Sequence, residues 1–198
     1  MTKQFMTLAA VLCCALTTVF SSCTTETIEE GGTPKDNTPV VSSTMNSKVY
    51  TNSETLKAFD FFVKYYDANG EVQNKKVTWT DLKENVKNDF STRLDKEWSI
   101  EVTTGLPSTL GFWIDAKPRT DVEFNDPEQL YELRIAGTYT IYSSRESGNS
   151  YKSASDDNNS TAHISAKRFE KRFASDLPFI NILCTFDKNG EITKSKWE

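Results

Sequence analysis

Cys23 is the residue whose type and position most directly predict chemistry. It follows Ser21 and Ser22 at the end of an apolar segment, residues 5–20, and Lys3 places a positive charge ahead of that segment. A basic start, a short apolar stretch and small residues before a cleavage point are typical of a secretory signal peptide. A membrane-spanning helix needs roughly 20 mostly apolar residues, so this segment is too short to span. We therefore expect a chain that is exported and processed near Cys23.

The sequence Val19-Phe20-Ser21-Ser22-Cys23 resembles the small-residue box of bacterial lipoproteins. That resemblance implies cleavage directly before Cys23, a diacylglycerol on its thiol and an acyl group on its new amino terminus. Residues 1–22 are then the signal peptide, and two or three acyl chains give a stable membrane anchor, which one chain alone does not. The alternative is an ordinary secretory signal, cleaved near the serines, that leaves Cys23 as a free thiol.

The residues after the cysteine suggest a destination. Three glutamates, Glu26, Glu29 and Glu30, follow closely, and such an acidic start is similar to the surface-export signals of lipoproteins from Bacteroidota. Thr24 resembles the residue that follows the cysteine in lipoproteins sorted to the outer membrane. The resemblance implies a small lipoprotein of Bacteroidota, anchored in the outer membrane of a Gram-negative cell, on either its periplasmic or its surface-exposed face.

Composition divides the rest of the chain. Residues 23–45 carry glycine, proline and small polar residues with little apolar content, which predicts a flexible tether. Residues 46–198 have the usual length of a single domain. Loss of Lys3 with the signal takes the formal charge from −5 to −6, and the basic residues are scattered apart from residues 167–172. Nucleic-acid binding, which needs clustered lysine and arginine, is therefore not expected.

The apolar residues of this domain recur mostly at every second position, which is typical of half-buried strands. The alternating sets are Phe59/Phe61/Val63/Tyr65, Trp98/Ile100/Val102, Leu110/Phe112/Ile114, Tyr131/Leu133/Ile135 and Ile180/Ile182/Cys184/Phe186. We expect a mainly β fold with eight or nine strands: an antiparallel β-sandwich, broadly immunoglobulin-like, with one or two short helices.

Two segments predict those helices. Asp81 to Glu84 reads as a capping box, and an apolar stripe at Leu82, Val86 and Phe90 follows it. The second candidate spans residues 166–174, where apolar side chains are four positions apart among charged ones, and a following proline prevents continuation.

Cys184 is the cysteine that remains in the mature chain if the signal is removed and Cys23 is lipidated. It lies within an apolar run that predicts a buried strand, so we expect a small core residue rather than a reactive thiol.

Two segments repeat each other: residues 66–72 contain Asp67-Ala-Asn-Gly70, and residues 186–192 contain Asp187-Lys-Asn-Gly190. An aspartate that accepts backbone hydrogen bonds and a glycine with positive φ are typical of hairpin turns. The alternative is a calcium loop, which needs glycine at position six and glutamate at position twelve. The glycine is misplaced in both copies. We expect two hairpins and no metal site, whether they arose by duplication or not.

Catalytic patterns are mostly absent from the sequence, which has no nucleophile elbow, phosphate loop or paired metal-binding motif. His163 is the single histidine, and a surface or packing role is the main interpretation, with a catalytic triad as the alternative. Acidic residues are numerous, so a carboxylate pair for glycoside hydrolysis is an open but unspecific possibility. We expect no cofactor.

Two further features concern binding. The polar run from Ser143 to Ser160 predicts a long loop, either disordered or functional. Trp113 is out of phase with its apolar neighbours Phe112 and Ile114, which predicts an outward tryptophan able to stack on a sugar or anchor a protein contact. The alternative is a tryptophan covered by a loop.

These observations favour a non-catalytic interaction module of the cell envelope that binds a glycan or an envelope protein. The alternatives are an envelope hydrolase that uses paired carboxylates and a structural subunit of a surface assembly.

Overall fold

The computed structural model describes residues 36–86, 93–174 and 178–198, and the predicted signal peptide and Cys23 lie outside them. Residues Asp36–Glu198 form one compact unit. The strands are β1 (Val40–Thr51), β2 (Phe59–Tyr66), β3 (Val72–Val77), β4 (Lys83–Glu84), β5 (Lys96–Gly105), β6 (Ser108–Pro118), β7 (Leu130–Arg145), β8 (Ser150–Ser165), β9 (Ile180–Phe186) and β10 (Ile192–Ser195). The helices are α1 (Ser53–Ala58) and α2 (Phe169–Phe173).

These strands form two five-stranded antiparallel sheets. The first has the order β4-β5-β1-β7-β8, and the second has the order β10-β9-β6-β2-β3. The predicted antiparallel β-sandwich with short helices is therefore confirmed.

The alternating apolar residues face each other between the sheets. Phe59, Phe61 and Val63 of β2 are at most 1% exposed, and Phe112 of β6 and Phe186 of β9 are fully buried. Each such side chain contributes about 1.5–3 kcal/mol when it leaves water. Successive side chains of a strand point to opposite sides, so the same strands also carry an outward row.

The domain begins earlier than the sequence indicated. Strand β1 starts at Val40, so residues 40–45 of the predicted tether belong to the central strand of the first sheet, and Met45 is fully buried. The segment is rich in small polar residues, but Ser43 and Thr44 have side-chain partners inside the fold. The Ser43 hydroxyl lies 2.7 Å from that of Ser108, so burial does not leave it unsatisfied.

The first predicted helix is wrong where the structure describes it. A 3₁₀ turn spans Trp79–Asp81, Leu82 is extended, and β4 follows, while Phe90 lies outside the described residues. The capping box is real but lies three residues earlier: Asp81 accepts a hydrogen bond from the backbone N–H of Thr78 at 2.7 Å. The carboxylate therefore closes a single turn instead of opening a helix.

The second predicted helix is confirmed, as a 3₁₀ turn over residues 166–168 followed by α2. Phe169 and Phe173 lie four residues apart on one side of α2. Both rings pack on Phe59, with ring centroids 5.5 and 5.7 Å away, and this contact fixes the segment to the core.

The predicted long loop from Ser143 to Ser160 is wrong. Strand β7 continues to Arg145, a turn covers residues 146–149, and β8 runs on from Ser150 as an edge strand. Of the β8 side chains, only Ala154, Ile164 and Ser165 are buried. A strand with so little buried surface does not show the apolar alternation by which strands are predicted.

The two predicted hairpin turns are confirmed. The Asp67 carboxylate accepts hydrogen bonds from the backbone N–H groups of Asn69 and Glu71, both at 2.9 Å, and Asp187 makes the matching contacts. Gly70 has φ +78° and Gly190 has φ +79°, the left-handed region that glycine adopts without strain.

Candidate functional site

The outer side of the second sheet carries a row of aromatic and polar side chains. We call it the aromatic face and define it by Phe62, Lys64, Tyr66, Trp113 and Trp197, all partly exposed. The first three alternate with the buried residues of β2, so the same period of two that builds the core also builds this surface.

Trp113 points outward, as its phase predicted, while Phe112 and Ile114 on either side of it are fully buried. The strand register places Trp113 beside Lys64 of β2 on one flank and Asn181 of β9 on the other. Directly paired residues of antiparallel strands point to the same side of a sheet. Trp113 therefore sits at the middle of the sheet, between an ammonium group and an amide.

Trp197 lies across the same face and is held by several contacts. Its backbone N–H donates to Asn181 Oδ1 at 2.7 Å, its carbonyl accepts from Asn181 Nδ2 at 3.2 Å, and its indole N–H donates to the Ile182 carbonyl at 3.0 Å. The ring stacks on Tyr66, with centroids 4.9 Å apart and planes 16° from parallel. A Cβ on Gly111 would lie 2.8 Å from this indole, so the glycine makes the close approach possible.

Lys64 links the two tryptophans. Its Nζ lies 5.5 Å from the ring centroid of Trp113 and 4.5 Å from that of Trp197. Cation–π contacts at exposed sites contribute about 0.5–1 kcal/mol each. The lysine therefore restrains Trp113 against a neighbour that is itself fixed, and the outward indole is preorganised.

A groove of about 360 Å³ opens beside Trp113 on this face. Its lining combines two aromatic rings, one amide and two ammonium groups, from Phe62, Trp113, Asn74, Lys76 and Lys117. Val63 and Lys75 complete the lining; they are directly paired and share the inner side of the sheet. The volume is within the range of small-molecule sites, which are lined by apolar surface with a few placed polar groups. The groove can stack an apolar ring face and donate hydrogen bonds to hydroxyls at its rim.

Two carboxylates lie on the same side of the sheet, and each is paired with a lysine. Asp60 is 9% exposed, with Lys76 Nζ at 2.6 Å, and Asp115 is 6% exposed, with Lys117 Nζ at 3.8 Å. Both lysines line the groove, whereas neither aspartate does. The groove therefore presents donors rather than a pair of acids.

His163 lies on β8, and its side chain is 57% exposed. Its Nε2 is 3.6 Å from Glu132, a carboxylate that also accepts a hydrogen bond from Asn52 at 2.7 Å and contacts Arg134 at 3.1 Å. The Asn52 hydrogen bond and Arg134 hold the pKa of Glu132 below its usual value. This cluster ties β7, β8 and the start of α1 together, which agrees with the surface or packing role predicted for His163.

Cys184 is fully buried in β9, as expected of a core residue. Burial raises the pKa of its thiol to about 11, so the reactive thiolate is scarce near neutral pH.

Two negative findings concern only residues 36–86, 93–174 and 178–198. In those ranges no group of three or more histidine, cysteine, aspartate or glutamate side chains is arranged to hold a metal ion. None of the helices there has the length and apolar character needed to cross a membrane.

Comparison of the chain with protein-family models, with curated proteins and with solved structures finds no match.

Sequence reasoning identified Trp113 but missed the residues that support it. Lys64 could have been found, because it lies two positions after Phe62 and the alternation of β2 therefore directs both side chains outward. Trp197 lies a few residues after the second repeated hairpin, and nothing local indicates that it packs on a glycine two strands away.

Proposed function

We propose that this protein is a non-catalytic binding module of the bacterial envelope that holds a neutral glycan on the aromatic face. The observation that carries the proposal is the partly exposed Trp113, braced by Lys64 and bordering a groove with amide and ammonium donors. A sugar ring has C–H faces that stack on an indole and hydroxyls that accept hydrogen bonds at its edge.

The lining of the groove favours binding over hydrolysis. Glycosidases position one acid as proton donor and a second as base or nucleophile at the scissile bond. Here Asp60 and Asp115 each lie next to a lysine that lines the groove, and neither aspartate lines it. The hydrolase alternative therefore lacks free acids at this groove, and no observation favours the structural-subunit alternative.

We further propose that the domain is tethered to the outer membrane through lipid on Cys23. The support is the signal-like segment and its small-residue box, together with the short distance in sequence between Cys23 and Asp36, where the compact unit begins. Cys23→Ala should abolish incorporation of a metabolically supplied fatty acid and release the protein from membranes. A wild-type protein without label, or a variant with unchanged label and membrane association, would contradict the anchor.

Glycan binding can be measured by isothermal titration calorimetry with the full chain in a neutral detergent. The titrants are neutral oligosaccharides released from envelope and environmental polysaccharides. Trp113→Ala should weaken binding about five- to tenfold, since aromatic contacts of this kind contribute on the order of 1–1.5 kcal/mol.

The chain offers a matched control in Trp79, which is 56% exposed and has Lys96 Nζ 4.7 Å from its ring centroid. It has the same residue type and the same kind of lysine contact but lies outside the aromatic face. Trp79→Ala should bind as the wild type does. Equal losses in both variants, no loss in Trp113→Ala, or no neutral glycan bound would overturn the proposal, and progressive cleavage of a bound glycan would establish the hydrolase alternative.

A further inference from the structure

A second cavity, separate from the aromatic face, opens where the edge strand β8 passes α2. We call it the edge cleft; its volume is about 840 Å³. The side chains that matter for its chemistry are Asn158, Ser160, Arg168, Lys171, Arg172 and Phe179.

One wall of the edge cleft comes from polar residues at positions that would normally belong to the core. Asn158 is paired with Gly137 and Ser160 with Ile135, and both partners point between the sheets. Directly paired residues share a side, so the two polar side chains also face the space between the sheets. Asn158 is nevertheless exposed and Ser160 partly exposed, which shows that the sandwich is open to solvent along this part of β8.

The other wall comes from the segment that contains α2. Phe169 and Phe173 bind this segment to the core through Phe59. Arg168 ends the 3₁₀ turn, and Lys171 and Arg172 of α2 follow it by three and four positions; all three line the edge cleft. The amphipathic pattern thus directs three cations into one cavity.

The charges of these three cations have no ion-pair partner among residues 36–86, 93–174 and 178–198. Lys167, the fourth basic residue of the cluster, is occupied by the Glu128 carboxylate. Arg168, Lys171 and Arg172 form no ion pair with any residue in the described part of the chain, although the whole chain has a net charge of −5. A concave site with one sign of charge concentrates the oppositely charged ligand.

The base of the edge cleft is fixed. Asn158 Nδ2 donates to the Phe179 carbonyl at 2.6 Å, which joins β8 to the segment that enters β9. Asn158 and Phe179 also border a smaller cavity, of about 280 Å³, whose lining includes Asp156 and Asp157. Those two acids line that neighbouring cavity, and none of the described residues that line the edge cleft is acidic.

We propose that the edge cleft binds an acidic saccharide, a hydroxylated ring that carries an oxyanion. Guanidinium groups pair with carboxylate or phosphate in a two-pronged geometry, and lysine adds a point charge. The amide and hydroxyl of β8 exchange hydrogen bonds with ring hydroxyls, and Phe179 supplies an apolar surface. The concave shape and size suit a ligand of this kind better than a flat anionic membrane surface.

The test is isothermal titration calorimetry with the full chain in a neutral detergent. Trigalacturonate supplies the carboxylate, glucose 6-phosphate supplies the phosphate, and neutral galactotriose is the uncharged comparison. At least one acidic sugar should bind at least about tenfold more tightly than galactotriose, and that preference should shrink as salt is raised. Binding of trigalacturonate would identify the oxyanion as a carboxylate, and binding of glucose 6-phosphate would identify it as a phosphate.

Arg168→Gln and Arg172→Gln should each weaken binding of the acidic sugar about tenfold or more, because each removes a charge-assisted hydrogen bond. The matched control is Lys188→Gln, which removes the same charge from an exposed turn at the opposite end of β9 and should bind as wild type. Thermal unfolding midpoints close to wild type, within 2 °C, would confirm that the arginine variants are folded, and urea midpoints give a second check.

Equal affinity for acidic and neutral sugars, equal weakening by Lys188→Gln, or binding only to anionic phospholipid vesicles would overturn the proposal. Its failure is distinguishable from failure of the aromatic-face proposal. Binding of acidic sugars without binding of neutral ones supports the edge cleft alone, and the converse supports the aromatic face alone.

Discussion

Asp81 concentrates several interactions on one carboxylate. Lys75 Nζ lies 2.5 Å from one oxygen, and the other accepts hydrogen bonds from the N–H and hydroxyl of Thr78 at 2.7 and 2.6 Å. These contacts, led by the lysine, lower the pKa of Asp81 to about 2. The folded state therefore holds the charged form more strongly than the unfolded chain does, and the carboxylate links the end of β3 to the 3₁₀ turn.

This shift predicts how stability depends on pH. Because the pKa is lower in the folded state, the Asp81 contribution is present above the unfolded value of 3.8 and is lost as pH falls toward 2. Between pH 5 and pH 3 the wild type should lose about 0.5–1 kcal/mol more free energy of unfolding than Asp81→Asn, after allowance for solvent screening. Urea denaturation at the two pH values measures the difference.

The control for that experiment is Glu101→Gln, which removes a carboxyl from an exposed position on β5. The interpretation of Asp81 is wrong if Asp81→Asn follows the wild-type pH dependence as closely as this control does.

At the scale of strands, Gly137 leaves room for two side chains of the facing sheet. A Cβ at this position would lie 2.6 Å from Ile180 Cδ1 and 2.9 Å from Ile114 Cδ1, and both isoleucines belong to the facing sheet. An added methyl group can be accommodated only if the sheets or these side chains move.

Gly137→Ala should therefore destabilise the protein by about 1–3 kcal/mol through overpacking. Gly105→Ala is the matched control, because a Cβ there meets no atom within 4 Å, and it should change the free energy of unfolding by less than about 0.5 kcal/mol. Chemical denaturation of both variants separates packing from the general effect of replacing glycine. Similar values for the two would contradict the close packing at Gly137.

Strands could be predicted from the sequence where one side is apolar and buried. The Phe59, Phe61 and Val63 set of β2 shows this clearly. Strand β8 could not be predicted, because its inward positions near Asn158 face an open cleft instead of an apolar core. The start of β1 was missed for a different reason: the inward Ser43 is satisfied by Ser108, a long-range partner that local composition does not reveal.

The same distinction applies to the sites. Trp113 could be predicted because its phase relative to Phe112 is a local property. The contacts of Trp197 with Tyr66 and Gly111 depend on strand order, which the sequence pattern leaves open. The basic cluster at residues 167–172 was visible, but the polar wall that faces it belongs to a segment predicted as a loop.

At the scale of the whole molecule, the boundary of the domain has a measurable consequence. Residues 42–45 of β1 pair with β5 on one side and β7 on the other, and Met45 is fully buried. A fragment of residues 46–198 loses both ladders there and leaves a cavity in the core. We expect its unfolding midpoint to fall by at least about 10 °C relative to a fragment of residues 36–198.

Circular dichroism melting of the two fragments and of the full chain makes this comparison. The fragment of residues 36–198 should unfold in one cooperative transition at the temperature of the full chain. If the shorter fragment is equally stable, β1 does not contribute as its burial indicates.

The central claim, that the aromatic face is where a neutral glycan binds, is tested most directly by the four indole N–H resonances of the ¹⁵N-labelled full chain. Each can be assigned by a single tryptophan-to-phenylalanine substitution. On titration with a glycan that binds, the Trp113 resonance should shift the most, while those of the buried Trp98 and of Trp79, which does not line the groove, stay in place. A glycan that shifts Trp79 alone, or binds without moving Trp113, would contradict the account.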